Sequence, residues 1–284
     1  MRTDIHWELN NYCTGGCSYC PSRFWGGEIP ASGSDFVRVA KEIIEHYSLM
    51  GRKLDWHFGG AGEPLEFFDL PEVMKLCKQS EGTIELFTNG GKMWLDWFAI
   101  EPNVDNLHLT YHYWQNPNLI KFIIQAFQKK SKPFEIMVPI RPDHFDADWN
   151  RVDSVEQEFG ISVRKLPLYK EAAMDQGLFP YTEDQLIRLF GIEWVEARKQ
   201  ETPKTFQEIR QAIIEVSPSY TGRRCNVGIE RLHIGHNGFT YTTDCGILGC
   251  GNVWDGTMRL PTEPTVCNRS VCASGADQAI TKFD

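Results

Sequence analysis

Over its first 170 residues the chain alternates short strand-like runs with longer segments of helical period. Strands are predicted at Ile5–Tyr12, Leu54–Phe58, Thr83–Asn89, Asn106–Tyr113, Phe134–Arg141 and Ser162–Leu168. The clearest helix is Asp35–Met50, where Phe36, Val39, Ala40, Ile43, Ile44 and Tyr47 share one face and Gly51 supplies a stop. Pro117–Lys130 repeats the pattern with Leu119, Phe122, Ile123 and Phe127. Pro71–Lys78 holds Cys77 among Val73, Met74 and Leu76, as a small core residue. Six strand–helix units of this kind imply an α/β fold, with parallel strands joined by right-handed crossovers. Periodicity alone leaves open whether they close partly into a barrel or lie open as a doubly wound sheet.

Beyond this region the pattern changes. Thr182–Val216 is helical and charged, and Thr221–Ser274 is rich in Gly and Cys. Arg231–Ile234 and Phe239–Thr242 flank His236-Asn237-Gly238, a hairpin signal. The expected organisation is a main domain at 1–180, a helical linker at 181–220 and a small cysteine-rich domain at 221–284.

The polar positions carry information too. His6, Glu8 and Asn10 alternate along the first strand, Asp55 and His57 along the second, and Glu85 and Asn89 along the third. His108, Thr110 and His112 share a face of the fourth, and Glu135 and Arg141 a face of the fifth. Strands buried on both faces read as near-continuous Val, Ile and Leu, which these do not. If the apolar residues meet the helices, the polar ones line a lumen that would be costly to keep dry and sealed. A polar ligand is expected there, with His57, Glu85, His108 and Glu135 as candidate acid–base groups.

Composition is that of a soluble globular protein, with 42% hydrophobic and 24% charged residues among 284. The net charge is −9 and no basic run exceeds two residues, so binding along a nucleic-acid backbone is not favoured. No apolar signal core follows Met1-Arg2-Thr3-Asp4, and no stretch approaches about 18 apolar residues, so no membrane span is predicted. The cytoplasm is the expected location. There, clustered cysteines indicate metal ligation rather than disulfides. Of nine cysteines, three lie at 13–20 and five at 225–272.

The first cluster, Cys13, Cys17 and Cys20, has the spacing C-x3-C-x2-C on the loop after the first strand, between Asn11 and Pro21. Its glycines let three thiolates converge on one face of an iron–sulfur cubane. A ferredoxin site or structural zinc normally takes four protein ligands, so three suit a cluster with one open iron. A zinc loop with a distant fourth ligand is the alternative. With Tyr19 before the last cysteine, the motif resembles that of the radical S-adenosylmethionine (SAM) superfamily. The resemblance implies a partial (βα)6 TIM barrel whose 4Fe–4S cluster binds SAM at the open iron. It also implies reductive cleavage of SAM to a 5′-deoxyadenosyl radical that abstracts a substrate hydrogen, fed by a flavodoxin- or ferredoxin-type electron donor. Gly60, Gly62 and Glu63, within Phe58–Leu65, are similar to the family's Gly-Gly-Glu-Pro motif for the SAM amino group, with Ala61 as a departure. By the same resemblance Asn89, Thr110 and His112 reach the cofactor from strand ends. Arg141 would pair with the SAM carboxylate, and Leu166 and Leu168 would line the adenine.

Cys225, Cys245, Cys267 and Cys272, around the hairpin, resemble the shortened SPASM module called twitch, which holds one auxiliary iron–sulfur cluster. Cys250 is the spare and a competitor for one of the four places. A zinc ribbon is the alternative. The expected function is hydrogen abstraction from a small polar substrate, such as a nucleoside, sugar or amino-acid-like molecule. A strand that begins near residue 5 leaves no room for a separate N-terminal peptide-binding domain. The other readings are a peptide maturase and a non-catalytic iron–sulfur or zinc protein.

Overall fold

A computed structural model describes residues 1–20, 27–91, 94–170, 178–200, 219–242, 249–269, 272 and 275–284. Six strands alternate with helices: β1 (Arg2–Trp7), α1 (Gly33–Leu49), β2 (Lys53–Phe58), α2 (Leu70–Cys77), β3 (Ile84–Thr88), α3 (Trp94–Ile100), β4 (Asn106–Thr110), α4 (Pro117–Lys129), β5 (Phe134–Ile140), α5 (Phe145–Phe159) and β6 (Val163–Pro167). Helices α6 (Glu183–Phe190) and α7 (Ile192–Gln200) follow. The remainder of the expected helical linker, 201–218, lies outside the described residues. β1 to β6 pair in sequence order and all in parallel.

Local chemistry explains the element ends. The Ser32 hydroxyl caps the Asp35 backbone N–H, and the Asp35 side chain accepts from the Ser32 N–H, which starts α1. Asn116 caps α4 with Pro117 in its first turn. β1 ends at Trp7, earlier than its apolar run, and the Asn10 carboxamide then accepts from the Tyr12 N–H in a turn that opens the cysteine loop.

One face of the sheet is apolar and covered. Ile5, Trp7, Leu54, Trp56, Phe58, Leu86, Leu107, Leu109, Ile136 and Val138 are buried with Phe36, Val39, Ile43, Ile123 and Phe127 of the helices. Trp7 packs on Phe36 at 5.6 Å between ring centroids. Burial of each such side chain contributes about 1.5–3 kcal/mol. The other face carries the half-exposed residues His6, His57, Glu85, His108 and Glu135.

The cysteine-rich region does not stand apart. β8 (Arg231–Ile234) pairs in parallel with β1, opposite β2, so β7 (Arg224–Cys225) is followed by a hairpin of β8 and β9 (Phe239–Tyr241) that extends the main sheet. With β10 (Gly249–Asn252) the sheet has nine strands in the order β10-β9-β8-β1-β2-β3-β4-β5-β6. The main sheet thus runs across residue 221. β11 (Thr265–Val266) and β12 (Lys282–Phe283) flank β7 in a separate three-stranded sheet. Among the described residues no helix is long and apolar enough to cross a membrane.

Candidate active site

The C-terminal ends of the parallel strands surround a cavity of about 370 Å³. Its walls are Cys13, Gly16, Cys17, Tyr19 and Cys20 from the loop after β1, Gly60, Gly62 and Glu63 after β2, Phe87, Thr88 and Asn89 at the end of β3, Thr110 and His112 at the end of β4, and Met137 of β5. In a parallel barrel this is the face where loops from several strands meet.

The three thiols influence one another. Burial and the neighbouring Cys17 and Cys13 charges push Cys20 up to about 11, and burial also raises Cys13, with Cys17 contributing. Thiolates that repel in this way fit a cationic occupant, whose charge would favour their ionised forms. Among the described residues no trio of His, Cys, Asp or Glu closes on a point as a single metal ion needs.

Glu63 ties the loops together. Its carboxylate accepts from the backbone N–H groups of Leu65 at 2.9 Å and Asn89 at 2.7 Å, and from the Thr88 hydroxyl. The Glu63 N–H donates to the Tyr12 carbonyl at 2.8 Å, and its own carbonyl accepts from the Asn10 carboxamide at 3.2 Å. Burial pushes its pKa up to about 7 against those hydrogen bonds. Gly62 has φ +63°, and a Cβ there would lie 2.2 Å from the Asn10 Oδ1, so the close approach needs glycine.

Of the cofactor residues expected from sequence, Tyr19, Gly60, Gly62, Glu63, Asn89, Thr110 and His112 share this cavity. The Tyr19 hydroxyl lies 2.5 Å from His112 Nδ1, with Cys17 Sγ 3.6 Å from the same nitrogen. Burial, with help from the Arg151 charge, lowers His112 to about 4. Arg141 and Leu168 are not among the lining residues. The Arg141 guanidinium instead grips Asp148 through Nε and a terminal nitrogen, both at 2.8 Å, and is raised by that pairing. Asp148 is wholly buried, and the Arg141 guanidinium supplies its counter-charge. Leu168 is held by its N–H donating to the Tyr181 hydroxyl.

The four acid–base candidates come together; Glu85, His108 and Glu135 lie two residues before the cavity wall on β3, β4 and β5, one strand repeat or about 7 Å away, and His57 joins them from β2. His57 Nδ1 lies 3.2 Å from Glu85 Oε2, His108 Nε2 lies 3.4 Å from the same oxygen, and His108 Nδ1 lies 3.3 Å from Glu135 Oε2. The His108 ring stacks on Phe87, which lines the cavity, at 4.2 Å. The row continues the other way onto the hairpin. His6 stacks on His233 at 4.7 Å, and Glu8 faces His233 at 3.5 Å and His236 at 3.3 Å. Burial raises the Glu8 pKa, but those imidazoles outweigh it and hold it at about 2. Sequence alternation signalled Glu8 and His6; nothing in the chain order placed His233 and His236 beside them.

At the other end, Cys225, Cys267 and Cys272 are buried; burial raises Cys225, with the neighbouring Cys267 and Cys272 contributing, and raises Cys272, with Cys267 contributing. Cys250 is buried near Tyr47 instead, and burial alone pushes it to about 11. Cys245 lies outside the described residues.

No family model matches the sequence, and no curated protein matches it. Solved structures do. The chain is similar to anSMEcpe with bound AdoMet and Cp18Cys peptide, with a TM-score of 0.52 and 18% identity over 91% of this chain and 79% of that one. It is also similar to SuiB of Streptococcus suis bound to S-adenosylmethionine, with a TM-score of 0.53 and 15% identity over 90% of this chain and 64% of that one. Both structures hold S-adenosylmethionine. At these identities the likeness is one of fold, and the shared fold is the partial barrel.

Proposed function

We propose that the chain is a radical SAM enzyme that abstracts hydrogen from a small polar substrate. The observation that carries this reading is the convergence of the three cysteines and the Gly60–Glu63 turn, from separate strand ends, on one cavity. Cys13, Cys17 and Cys20 would hold a 4Fe–4S cluster, with SAM on its open iron. Gly60, Gly62 and Glu63 would receive the SAM amino group, while Tyr19, Asn89, Thr110 and His112 line its remaining surface. When bound, the pair supplies a 5′-deoxyadenosyl radical for hydrogen abstraction.

The protein's own part is to bind, orient and move protons. Phe87 and Met137 form the apolar floor of the cavity, and His108 stacks beneath Phe87. His108 stands between Glu85 and Glu135, so a proton taken from a substrate hydroxyl or amine has two carboxylates beside its imidazole. His57 and Glu85 form a second such pair. An electron donor of flavodoxin or ferredoxin type would serve the first cluster.

The test is anaerobic reconstitution with iron and sulfide, then SAM and dithionite, with chromatography of the products. 5′-Deoxyadenosine and methionine are expected in equal amounts. A fully loaded protein that yields neither would refute the assignment.

Glu63 gives the reading a pH signature. A buried carboxyl with a raised pKa costs stability as pH rises from its ordinary range through about 7, because ionisation in the fold is penalised. An ammonium ligand favours the ionised form. SAM affinity, followed by equilibrium dialysis, is expected to rise between about pH 6 and about pH 8, and to lose that rise in Glu63→Gln. A flat wild-type profile would exclude Glu63 as the acceptor.

The auxiliary cluster is proposed on Cys225, Cys267 and Cys272, with Cys245 as the fourth ligand. Iron content is expected near about eight per chain, falling to about four in Cys267→Ala. Zinc in place of the second set of iron would favour a structural ribbon.

A further inference from the structure

The turn after β4 places an indole against the cysteine loop. Trp114 Nε1 donates to Cys17 Sγ at 3.1 Å, and its ring stacks on His112 at 5.7 Å and 9°. Gly15 permits the approach, since a Cβ at that position would meet Trp114 Cζ2 at 2.7 Å. No other side-chain N–H comes as near a sulfur of this loop among the described contacts; the Asn89 carboxamide is 3.6 Å from Cys13 Sγ.

The turn is held on both sides of Trp114. The buried Gln115 accepts from the His112 N–H through its side-chain oxygen, and its own N–H donates to the His112 carbonyl at 3.3 Å. Tyr113 lies under the Arg141 guanidinium at 4.0 Å, and Arg141 is itself clamped by Asp148. Asp148 also accepts from Arg151 at 2.7 Å, and Arg151 lies over Tyr111 at 5.4 Å. Two cation–aromatic contacts and a buried carboxamide thus fix Tyr111–Gln115, and with it the direction of the indole N–H.

The geometry assigns Trp114 as a residue that tunes the first cluster, by hydrogen bonding to the sulfur of its ligand Cys17 and so raising the cluster's reduction potential. The physical reason is charge. Reduction adds an electron that spreads onto the ligand sulfurs, and a fixed N–H donor stabilises the more negative state. The indole is a donor only and cannot reverse its role. Arg141, Tyr113 and Gln115 act through Trp114 as positioning residues. This inference rests on the proposed function, because it needs a cluster on Cys13, Cys17 and Cys20.

The test uses Trp114→Phe, which keeps an aromatic ring and removes the N–H. The reconstituted full-length protein is titrated with a redox-mediator series, and the paramagnetic signal of the reduced first cluster is followed by electron paramagnetic resonance. With iron content unchanged, the ratio of reduced to oxidised cluster at a fixed ambient potential is expected to fall roughly tenfold, equivalent to about 59 mV for one electron. An unchanged midpoint with full iron overturns the assignment. A second measurement does not depend on the variant's folding. Wild-type protein with 15N-indole tryptophan is expected to show nitrogen hyperfine coupling, and an exchangeable proton coupling, on the first cluster. Absence of both also overturns it. A wild-type chain that binds no cluster on its N-terminal cysteines refutes the proposed function itself, and is read from the iron content before any potential is measured.

Discussion

Replacing Cys17 with alanine is expected to abolish 5′-deoxyadenosine formation, to the background of a protein without cluster. Cys17 is buried with 6% of its surface exposed, next to Tyr19, His112 and Trp114. Two thiolates would remain where three are needed to leave one iron open, and Cys13 and Cys20 have no substitute among the described residues of this cavity. His112 is close, at 3.6 Å from Cys17 Sγ, but its Nδ1 already faces the Tyr19 hydroxyl. The checks are iron content and product chromatography on the same preparation. Iron is expected to drop by about one cluster, or about four atoms per chain, while the auxiliary set is kept. Product formation at the wild-type rate in Cys17→Ala would show that the three cysteines do not carry the reaction.

The second large effect is on stability. Asp148→Ala is expected to cost about 3–5 kcal/mol, because it strands Arg141 and Arg151 near one another without their shared carboxylate. Asp148 is wholly buried, so solvent cannot replace it, and the Arg141 N–H at 2.9 Å loses its acceptor too. A loss of that size is a large part of the roughly 5–15 kcal/mol that holds a typical domain. Asp148→Asn keeps an acceptor and is expected to cost less. Urea unfolding measures both, and a loss below about 1 kcal/mol in Asp148→Ala would show that the network is peripheral. The pH dependence has a defined sign. Burial raises the Asp148 pKa, but hydrogen bonds and charge from Arg141 and Arg151 bring it below the usual carboxylate range. Its contribution is therefore present above that range and lost as pH falls through the lowered pKa, so wild type and Asp148→Ala should converge in acid.

Much of the barrel was legible along the chain because strand and helix periods are local. Phe36, Val39, Ala40, Ile43 and Tyr47 repeat at helical spacing and are buried in α1, and Ile5 and Trp7 alternate with Asp4 and His6 in β1 as pleating requires. The cysteine loop and the Gly60–Glu63 turn were legible for the same reason: each is a compact run of residues whose chemistry depends on short spacing. The acid–base row was legible as a set of faces, since residues two apart on a strand point the same way.

Other features depend on contacts between distant segments, which no local period encodes. β8 docks on the free edge of β1 more than two hundred residues earlier, and this brings His233 and His236 to Glu8. Asp148, one helical turn into α5, holds the Arg141 guanidinium at the end of β5. Cys250 lies between Cys245 and Cys267 in sequence, yet the fold buries it near Tyr47 of α1. Trp114 carried no motif and became visible only when the turn after β4 placed its N–H on Cys17. The sequence by itself determined the alternating architecture and the residues of the cysteine and glycine loops, because hydrophobic period and motif spacing are properties of neighbouring residues. Tertiary structure alone decided how the hairpin joins the sheet, which guanidinium is already occupied and which donor faces the Cys17 sulfur, because buried charges and hydrogen bonds choose partners by distance in space.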